Sequence, residues 1–163
     1  MSENRAQYER FDTETGFQSA IDRLLAQPGR ELRVFDPDLR ALRFDAPQRV
    51  ALLEQFLVSS RARRLYVALH EPEYVTGHCP RLMGLLARFS HAIVIHRTHE
   101  EIRSIQDSFL VLDQRHYVRR AVARFFRGAI GLGDEPEAFA MYSRFQEIWA
   151  ASFPAVSATT LGL

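Results

Sequence analysis

The segment Gln106-Asp-Ser-Phe-Leu-Val-Leu-Asp113 decides the fold. Its centre, residues 109–112, is a run of apolar and aromatic side chains that favours a buried strand. Gln114-Arg115 then predicts a tight connection into a returning strand that begins near Tyr117. The segment follows three rounds of strand and helix, so we expect it to form a central strand of the sheet.

The chain upstream alternates predicted strands with amphipathic helices. Strands are predicted at residues 31–36, 65–70 and 92–96, and a final helix is predicted to begin at Asp134 and to reach Trp149. This alternation is typical of the α/β class. We expect a mixed, mostly parallel sheet with helices on both faces.

The whole chain, residues 1–163, is predicted to form a single α/β domain because no linker or repeat divides it. Residues 1–12 are expected to be a frayed N-terminal segment. Two connections are predicted to be loops: residues 71–77, and a flexible loop marked by glycines at 128, 131 and 133.

The composition excludes several classes of mechanism. All 21 basic residues are arginine, which removes Schiff-base chemistry, a phosphate-loop lysine and a Ser–Lys dyad. The net charge of +1 gives no general reason to bind nucleic acid or a membrane surface. Cys79 is the only cysteine, the apolar runs are short and the first residues are polar, so we expect a cytoplasmic protein.

Ionisable residues follow the three upstream strands, at the sheet edge where α/β proteins bind ligands. One hypothesis is an enzyme acting on a phosphorylated small molecule, with His70 or His96 as acid or base, Asp36 beside them and Arg97 holding the anion. The other interpretation, which we favour, is that polar residues stand there because strand ends meet water. The candidate ligand-binding residues at this edge are Asp36, Asp38, His70, His78, His96 and Arg97.

No metal site and no cofactor are predicted. The spacings His96-x-x-His99 and His70 to His78 match no recognised set of metal ligands. Cys79 is expected to be a small buried side chain, not a nucleophile.

A run of arginines follows the central strand. It could bind phosphate or nucleic acid, but pairing with surface acids is the interpretation we favour, and nucleic acid is not an expected partner. The run comprises Arg115, Arg119, Arg120, Arg124 and Arg127.

The spacing Gln106-x-Ser108-x4-Asp113 resembles the H-x-K-x4-D motif of the phospholipase D superfamily, with the His and Lys replaced. The family's later Gly-Ser-x-Asn is also absent, since Arg120-Ala-Val-Ala123 stands there. The resemblance implies a phospholipase D-like half-domain over about residues 14–152.

In that family the His is the nucleophile and the Lys holds the phosphate, so Gln106 and Ser108 imply lost chemistry. The resemblance therefore implies a non-catalytic binding or interaction module, with Gln106 and Ser108 among the ligand-binding residues. It also implies a homodimer, because family halves pair across the active-site face, and a phosphate-containing ligand. The chain is also similar to bacterial domains of which some are fused to acetyltransferases, which implies an acetyltransferase-linked partner.

Overall fold

The computed structural model describes residues 6–157, which form one eight-stranded sheet with helices on both faces. The strands are β1 (Gln7–Phe11), β2 (Glu31–Phe35), β3 (Arg64–Leu69), β4 (Ile93–Thr98), β5 (Ser108–Leu112), β6 (His116–Arg120), β7 (Gly128–Leu132) and β8 (Ser152–Val156). The helices are α1 (Glu14–Leu25), α2 (Pro47–Val58), α3 (Glu73–His78), α4 (Pro80–Arg88) and α5 (Glu135–Ala150). Short 3₁₀ turns lie at Arg40–Leu42 and Glu100–Ile102.

The strand order is β1-β7-β6-β5-β2-β3-β4-β8, and the α/β class with a mixed sheet is confirmed. The expectation of a mostly parallel sheet is wrong. Only the β2–β3 and β3–β4 pairs are parallel, and the other five pairs are antiparallel. The physical reason is connection length: helices can carry the chain back between β2, β3 and β4, whereas β5, β6 and β7 follow one another through short turns that force antiparallel pairing.

Alternate residues of the central strands build two separate cores. On one face, side chains such as Leu110 and Leu112 of β5 belong to the core that also contains apolar residues of α1, α2 and α4. On the other face, Phe109 and Val111 pack with Phe145 and its neighbours from α5. All five residues of β5 are buried, so the expectation of a central strand at this position is confirmed.

Both ends of the sheet differ from the expectations. Residues 7–11, expected to be frayed, form β1 and pair with β7, while residues 1–5 lie outside the described part of the chain. β1 is exposed along most of its length, so it carries no apolar alternation that would reveal it as a strand. At the opposite edge β8, which was not predicted, pairs with β4 and contains Pro154.

The predicted glycine loop is also wrong, because residues 128–132 form β7. The glycines there make room for β6. A Cβ atom on Gly131 would lie 2.4 Å from the ring of Tyr117, and one on Gly128 would lie 1.9 Å from the carbonyl oxygen of Arg119. The predicted loop at residues 71–77 likewise contains most of α3. In both places local composition suggested a loop where packing dictates regular structure.

Asp113 joins the β5–β6 turn to the first residues of β2. Its Oδ1 accepts hydrogen bonds from the main-chain N–H groups of Arg30 and Glu31, both at 2.9 Å. Its own N–H donates to the carbonyl oxygen of Glu31 at 2.9 Å. The residue has a φ of 54°, in the left-handed region that Asp and Asn tolerate better than most residues. Asp113 therefore aligns β2 with the hairpin.

We expect Asp113→Ala to lower the free energy of unfolding by about 1–3 kcal/mol, because two main-chain donors lose their acceptor. Asp113→Asn should lose less, since the amide oxygen can still accept and Asn tolerates the left-handed backbone. Urea unfolding of the two variants beside the parent chain measures both effects. Equal losses in the Ala and Asn variants would contradict the assigned role of the side chain.

Candidate functional site

The residues at positions 106 and 108 have different surroundings. Gln106 is exposed just before β5, and its amide nitrogen donates to the carbonyl oxygen of Arg103 at 2.8 Å. Ser108 is the first residue of β5 and is only 1% exposed. Its hydroxyl donates to Oδ1 of Asp36 at 2.6 Å. Of these two side chains, only Gln106 is accessible from solvent.

A buried ion pair lies beside Ser108. The guanidinium of Arg120, at the end of β6, donates to Oδ1 of Asp36 at 2.8 Å, and both side chains are almost fully buried. Arg120 also donates to the carbonyl oxygen of Ala123, and its guanidinium carbon lies 4.2 Å from the centre of the Phe17 ring. A buried charge is costly unless it is paired and hydrogen-bonded, and here each charge is both.

The second carboxylate oxygen of Asp36 shapes the turn that follows β2. It accepts hydrogen bonds from the main-chain N–H groups of Leu39 and Asp38, at 2.8 and 3.2 Å. Burial raises the pKa of the Asp36 carboxyl group above its ordinary value, while the hydrogen bond from Ser108 and the charge of Arg120 act in the opposite direction. The carboxylate is thus bonded on both oxygens.

His70 is buried on the α5 side of the sheet, and both of its ring nitrogens are bonded. Nε2 lies 2.6 Å from the carbonyl oxygen of Ile105, and Nδ1 lies 2.5 Å from the hydroxyl of Thr98. Because a carbonyl oxygen can only accept, Nε2 carries a proton, and the Thr98 hydroxyl occupies Nδ1. With 3% of its surface exposed, His70 has no nitrogen free to meet a substrate.

His96 is partly exposed and lies flat on an aromatic ring. Its ring centre is 3.6 Å from that of Trp149, with the planes 9° apart, and Nδ1 lies 2.8 Å from the hydroxyl of Ser152. Burial lowers the pKa of the His96 imidazole, so the neutral ring is favoured. His96 therefore links β4 to the end of α5 and to the first residue of β8.

The remaining strand-end residues are dispersed. His78 is exposed at the end of α3, where it stacks on Tyr74. Asp38 is partly exposed and caps its own turn by accepting from the N–H of Arg40. Arg97 is half-buried, and no described residue accepts a hydrogen bond from its Nε.

The sheet separates the candidates that would have to act together. His70 and His96 lie on the face covered by α5, where their neighbours are Phe35 and Trp149. Asp36 bonds Arg120, which contacts Phe17 of α1 on the opposite face. The geometry therefore does not place these residues in one open cleft.

The sequence interpretation missed the partner of Asp36, because it assigned Arg120 to a surface run. The register of the β5–β6 hairpin pairs Ser108 with Arg120, and this pairing would have placed Arg120 next to the buried start of β5. The other arginines of the run are nearer the surface. Arg115 lies 3.7 Å from Glu135 and Arg119 lies 3.5 Å from Glu137, whereas Arg124 lies over the ring of Phe125.

The described residues contain neither a group of metal ligands nor an exposed cysteine. Among residues 6–157, no three His, Cys, Asp or Glu side chains group so that they could hold a metal ion. Cys79 is buried as expected, and burial together with the charge of Asp45 raises the pKa of its thiol to about 11. None of the helices within these residues is long and apolar enough to span a bilayer.

A cleft of about 460 Å³ opens at Gln106, between α5 and the ends of β5 and β6. Two ion pairs are found among its lining residues, Arg119 with Glu137 and Arg144 with Asp107. The cleft is therefore lined by charges that are already paired. We call it the Gln106 cleft, lined by Ile105, Gln106, Asp107, Phe109, Arg119, Arg120, Ala121, Glu137, Ala140, Met141 and Arg144.

A larger groove of about 740 Å³ lies beside it and shares Arg119 and Ala121 with the cleft. It follows β1, the start of β7 and the loop between β6 and β7. We call it the β1–β7 groove, lined by Tyr8, Arg10, Asp12, Arg119, Ala121, Val122, Phe125, Phe126, Arg127, Gly128 and Ala129.

Residues 13–161 match the family described as Domain of unknown function (DUF7931). The chain belongs to that family. No curated relative matches the chain.

Solved structures of the phospholipase D family share the fold. Nuc of Salmonella typhimurium, a phospholipase D family member, superposes with a TM-score of 0.63 at 12% identity, covering 94% of this chain and 100% of its own. NucT of Helicobacter pylori gives 0.61 at 10% identity, covering 93% and 100%. The chain thus has a phospholipase D-like fold.

A third similar structure is TrmBL2, an archaeal chromatin protein, with a TM-score of 0.65 at 9% identity. The superposition covers 95% of this chain but 56% of that protein, so the chain spans little more than half of its length. At such identities the likeness extends to the fold alone.

We expect Arg120→Met to lower the free energy of unfolding by about 3–5 kcal/mol at pH 7, because it leaves the buried Asp36 carboxylate without a cation. In the variant the folded-state pKa of Asp36 rises further above its unfolded value of about 3.9. A raised folded pKa adds stability below the unfolded pKa and loses it as the pH rises, so the deficit should shrink toward pH 4.

Urea unfolding between pH 4 and 7 measures this deficit. The matched control is Asp36→Asn combined with Arg120→Met, which removes both charges and should recover part of the loss at pH 7. A deficit that is the same at every pH would contradict the ion-pair explanation.

Proposed function

We propose that this chain is a non-catalytic phospholipase D-like binding module, which pairs with a second copy of itself. The proposal rests on which residues occupy the three motif positions and on what they bond. Gln106 stands where the family has its nucleophile, Ser108 replaces the phosphate-binding Lys, and Asp113 bonds two main-chain N–H groups. None of the three side chains is a cation, and the Ser108 hydroxyl is buried and donates to Asp36, so it is not accessible to a phosphodiester.

The charge near the degenerate motif supports the same proposal. Arg120 is the cation nearest to Ser108 in the hairpin register, but its guanidinium is paired with Asp36 and 1% exposed. A cation already neutralised and excluded from water cannot stabilise a phosphoryl group as a free Lys would. A carboxamide at position 106 cannot form a stable covalent phosphoryl intermediate.

Turnover of a phosphodiester tests the first part of the proposal. We expect no hydrolysis of bis(p-nitrophenyl) phosphate, single-stranded DNA or RNA above the buffer background, and no change in Gln106→Ala. Product release is followed by absorbance and by gel electrophoresis. Hydrolysis by the parent chain that Gln106→Ala abolishes would overturn the non-catalytic assignment.

The second part is the homodimer, placed across the Gln106 cleft because the resemblance implies pairing on the active-site face. Ala140 is exposed on α5 and lines this cleft. We expect Ala140→Arg to shift the chain from dimer to monomer in light scattering coupled to gel filtration, because the new side chain would obstruct the facing copy. Ala51→Arg, on the exposed side of α2, is the matched control.

A strictly monomeric parent chain would remove the dimer while leaving the non-catalytic part in place. The acetyltransferase-linked partner and the cytoplasmic location stay predictions.

A further inference from the structure

The α5 side of the sheet is open at one end. Helix α5 packs on β2, β4, β5, β6 and β8, and not appreciably on β1 or β7. In the register of β1, β7 and β6, Arg10 of β1 and Arg119 of β6 flank Ala129 of β7, and Tyr8 and Tyr117 flank Gly131 in the next row. Ala129 thus lies at the floor of the β1–β7 groove, between the longer side chains of Arg10 and Arg119, whereas the buried ring of Tyr117 covers Gly131 outside the groove.

Exposed apolar side chains concentrate in this groove. Tyr8 is 52% exposed, Phe125 is 53% exposed and Val122 is 42% exposed, and all three line it. Phe125 and Val122 come from the loop between β6 and β7, whose Ala123 is held by Arg120. Large aromatic surface left in water on a soluble domain commonly marks a binding surface.

Two of the three arginines that line the groove, Arg10 and Arg127, have no carboxylate partner in the described chain, whereas Arg119 pairs with Glu137. Within residues 6–157, no carboxylate lies at ion-pair distance from Arg10, Arg124 or Arg127. The lining itself holds three arginines and one aspartate, in a protein whose 21 basic and 20 acidic residues nearly balance. The groove is therefore locally cationic. Of the arginine run, Arg115 and Arg119 pair with acids near the surface as the favoured interpretation has it, whereas Arg124 and Arg127 do not.

We propose that the β1–β7 groove binds single-stranded nucleic acid, with bases stacked on Phe125 and Tyr8 and phosphates paired with Arg10 and Arg127. Stacking rings combined with unpaired cations along one groove is the chemistry that sequence-tolerant single-strand binding requires. A duplex would present only its phosphates, because its base faces are already stacked. The inference rests on the proposed binding role but uses a groove outside the three motif positions.

Binding is measured by fluorescence anisotropy with labelled oligo(dT) and oligo(U) of about 12 nucleotides. We expect binding that weakens steeply between about 50 and 200 mM salt. A duplex of the same length and a free mononucleotide should bind at least about tenfold more weakly, because neither combines open base faces with successive phosphates.

Two double variants separate stacking from charge. Tyr8→Ala with Phe125→Ala should weaken binding about tenfold or more, with little change in the salt slope. Arg10→Ala with Arg127→Ala should weaken binding and reduce the salt slope by about 0.7 for each lost phosphate contact.

The matched controls lie elsewhere on the sheet. Arg30→Ala with Arg61→Ala removes the same charge near the opposite ends of the strands, where β2 and β3 begin. Phe153→Ala removes an exposed ring from β8 at the far edge. Both controls should bind within about twofold of the parent chain if the groove is the site.

Each other result is decisive. Absence of binding at low salt, equal loss in the controls, or equal binding of duplex would overturn the single-strand site. A second copy covering the groove is indicated instead if Tyr8→Ala with Phe125→Ala turns dimer into monomer without changing nucleic-acid retention. Cleavage of the bound oligonucleotide would refute the non-catalytic assignment but not the binding site. If the oligonucleotide is neither bound nor cleaved, the binding site is refuted and the non-catalytic assignment is not.

Discussion

The buried ion pair between Asp36 and Arg120 is the interaction on which both candidate surfaces depend. It links the end of β2 to the end of β6 across the intervening β5, whose Ser108 completes the network. One carboxylate oxygen also fixes the turn after β2, while the guanidinium holds Ala123. The loop that carries Phe125 therefore begins at an anchored point, with the Gln106 cleft on one side and the β1–β7 groove on the other.

The same ion pair determines which side chain fits at position 108 of the degenerate motif. A lysine at position 108 would place a second cation against Arg120, with one carboxylate between them and almost no water. Two like charges in such a site are strongly unfavourable. Ser108 supplies a neutral donor that Asp36 can accept, so the arrangement of this pocket is compatible with serine and poorly compatible with the lysine of the family motif.

The centre of the sheet could be predicted from the sequence, and its edges could not. β5 and the hairpin after it carry continuous apolar runs and a short turn, which are local signals. β1 is a polar edge strand whose hydrogen bonds come from β7, more than a hundred residues away in the chain. The glycines of β7 indicated a loop because the ring of Tyr117, which requires Gly131, is invisible in a local window. The predicted majority of parallel pairs was wrong in part because three of the five antiparallel pairs involve β1, β7 or β8, which were not predicted as strands.

Only part of the candidate site could be predicted from the sequence. Asp36 could be picked out as a charged residue at a strand end, but its partner Arg120 lies 84 positions further on. His70 carried the same sequence signal as a catalytic histidine, yet Thr98 and the carbonyl of Ile105 satisfy both its nitrogens. A polar residue after a strand can meet solvent, a ligand or another buried group, and only tertiary contacts distinguish the three.

The two faces of the sheet are covered by different numbers of helices, and α5 is the only long helix on its face. Four helices, α1 to α4, contribute to one core, so exposing that core would require several elements to separate together. The other core is covered by a single long helix, α5, together with Ile102 and Ile105 of the segment before β5. Helix α5 continues through a single turn into the edge strand β8, with Trp149 and His96 stacked at the junction. Helix, turn and edge strand therefore form one continuous cover over Phe109 and Phe35, on the face opposite to the Asp36–Arg120 network.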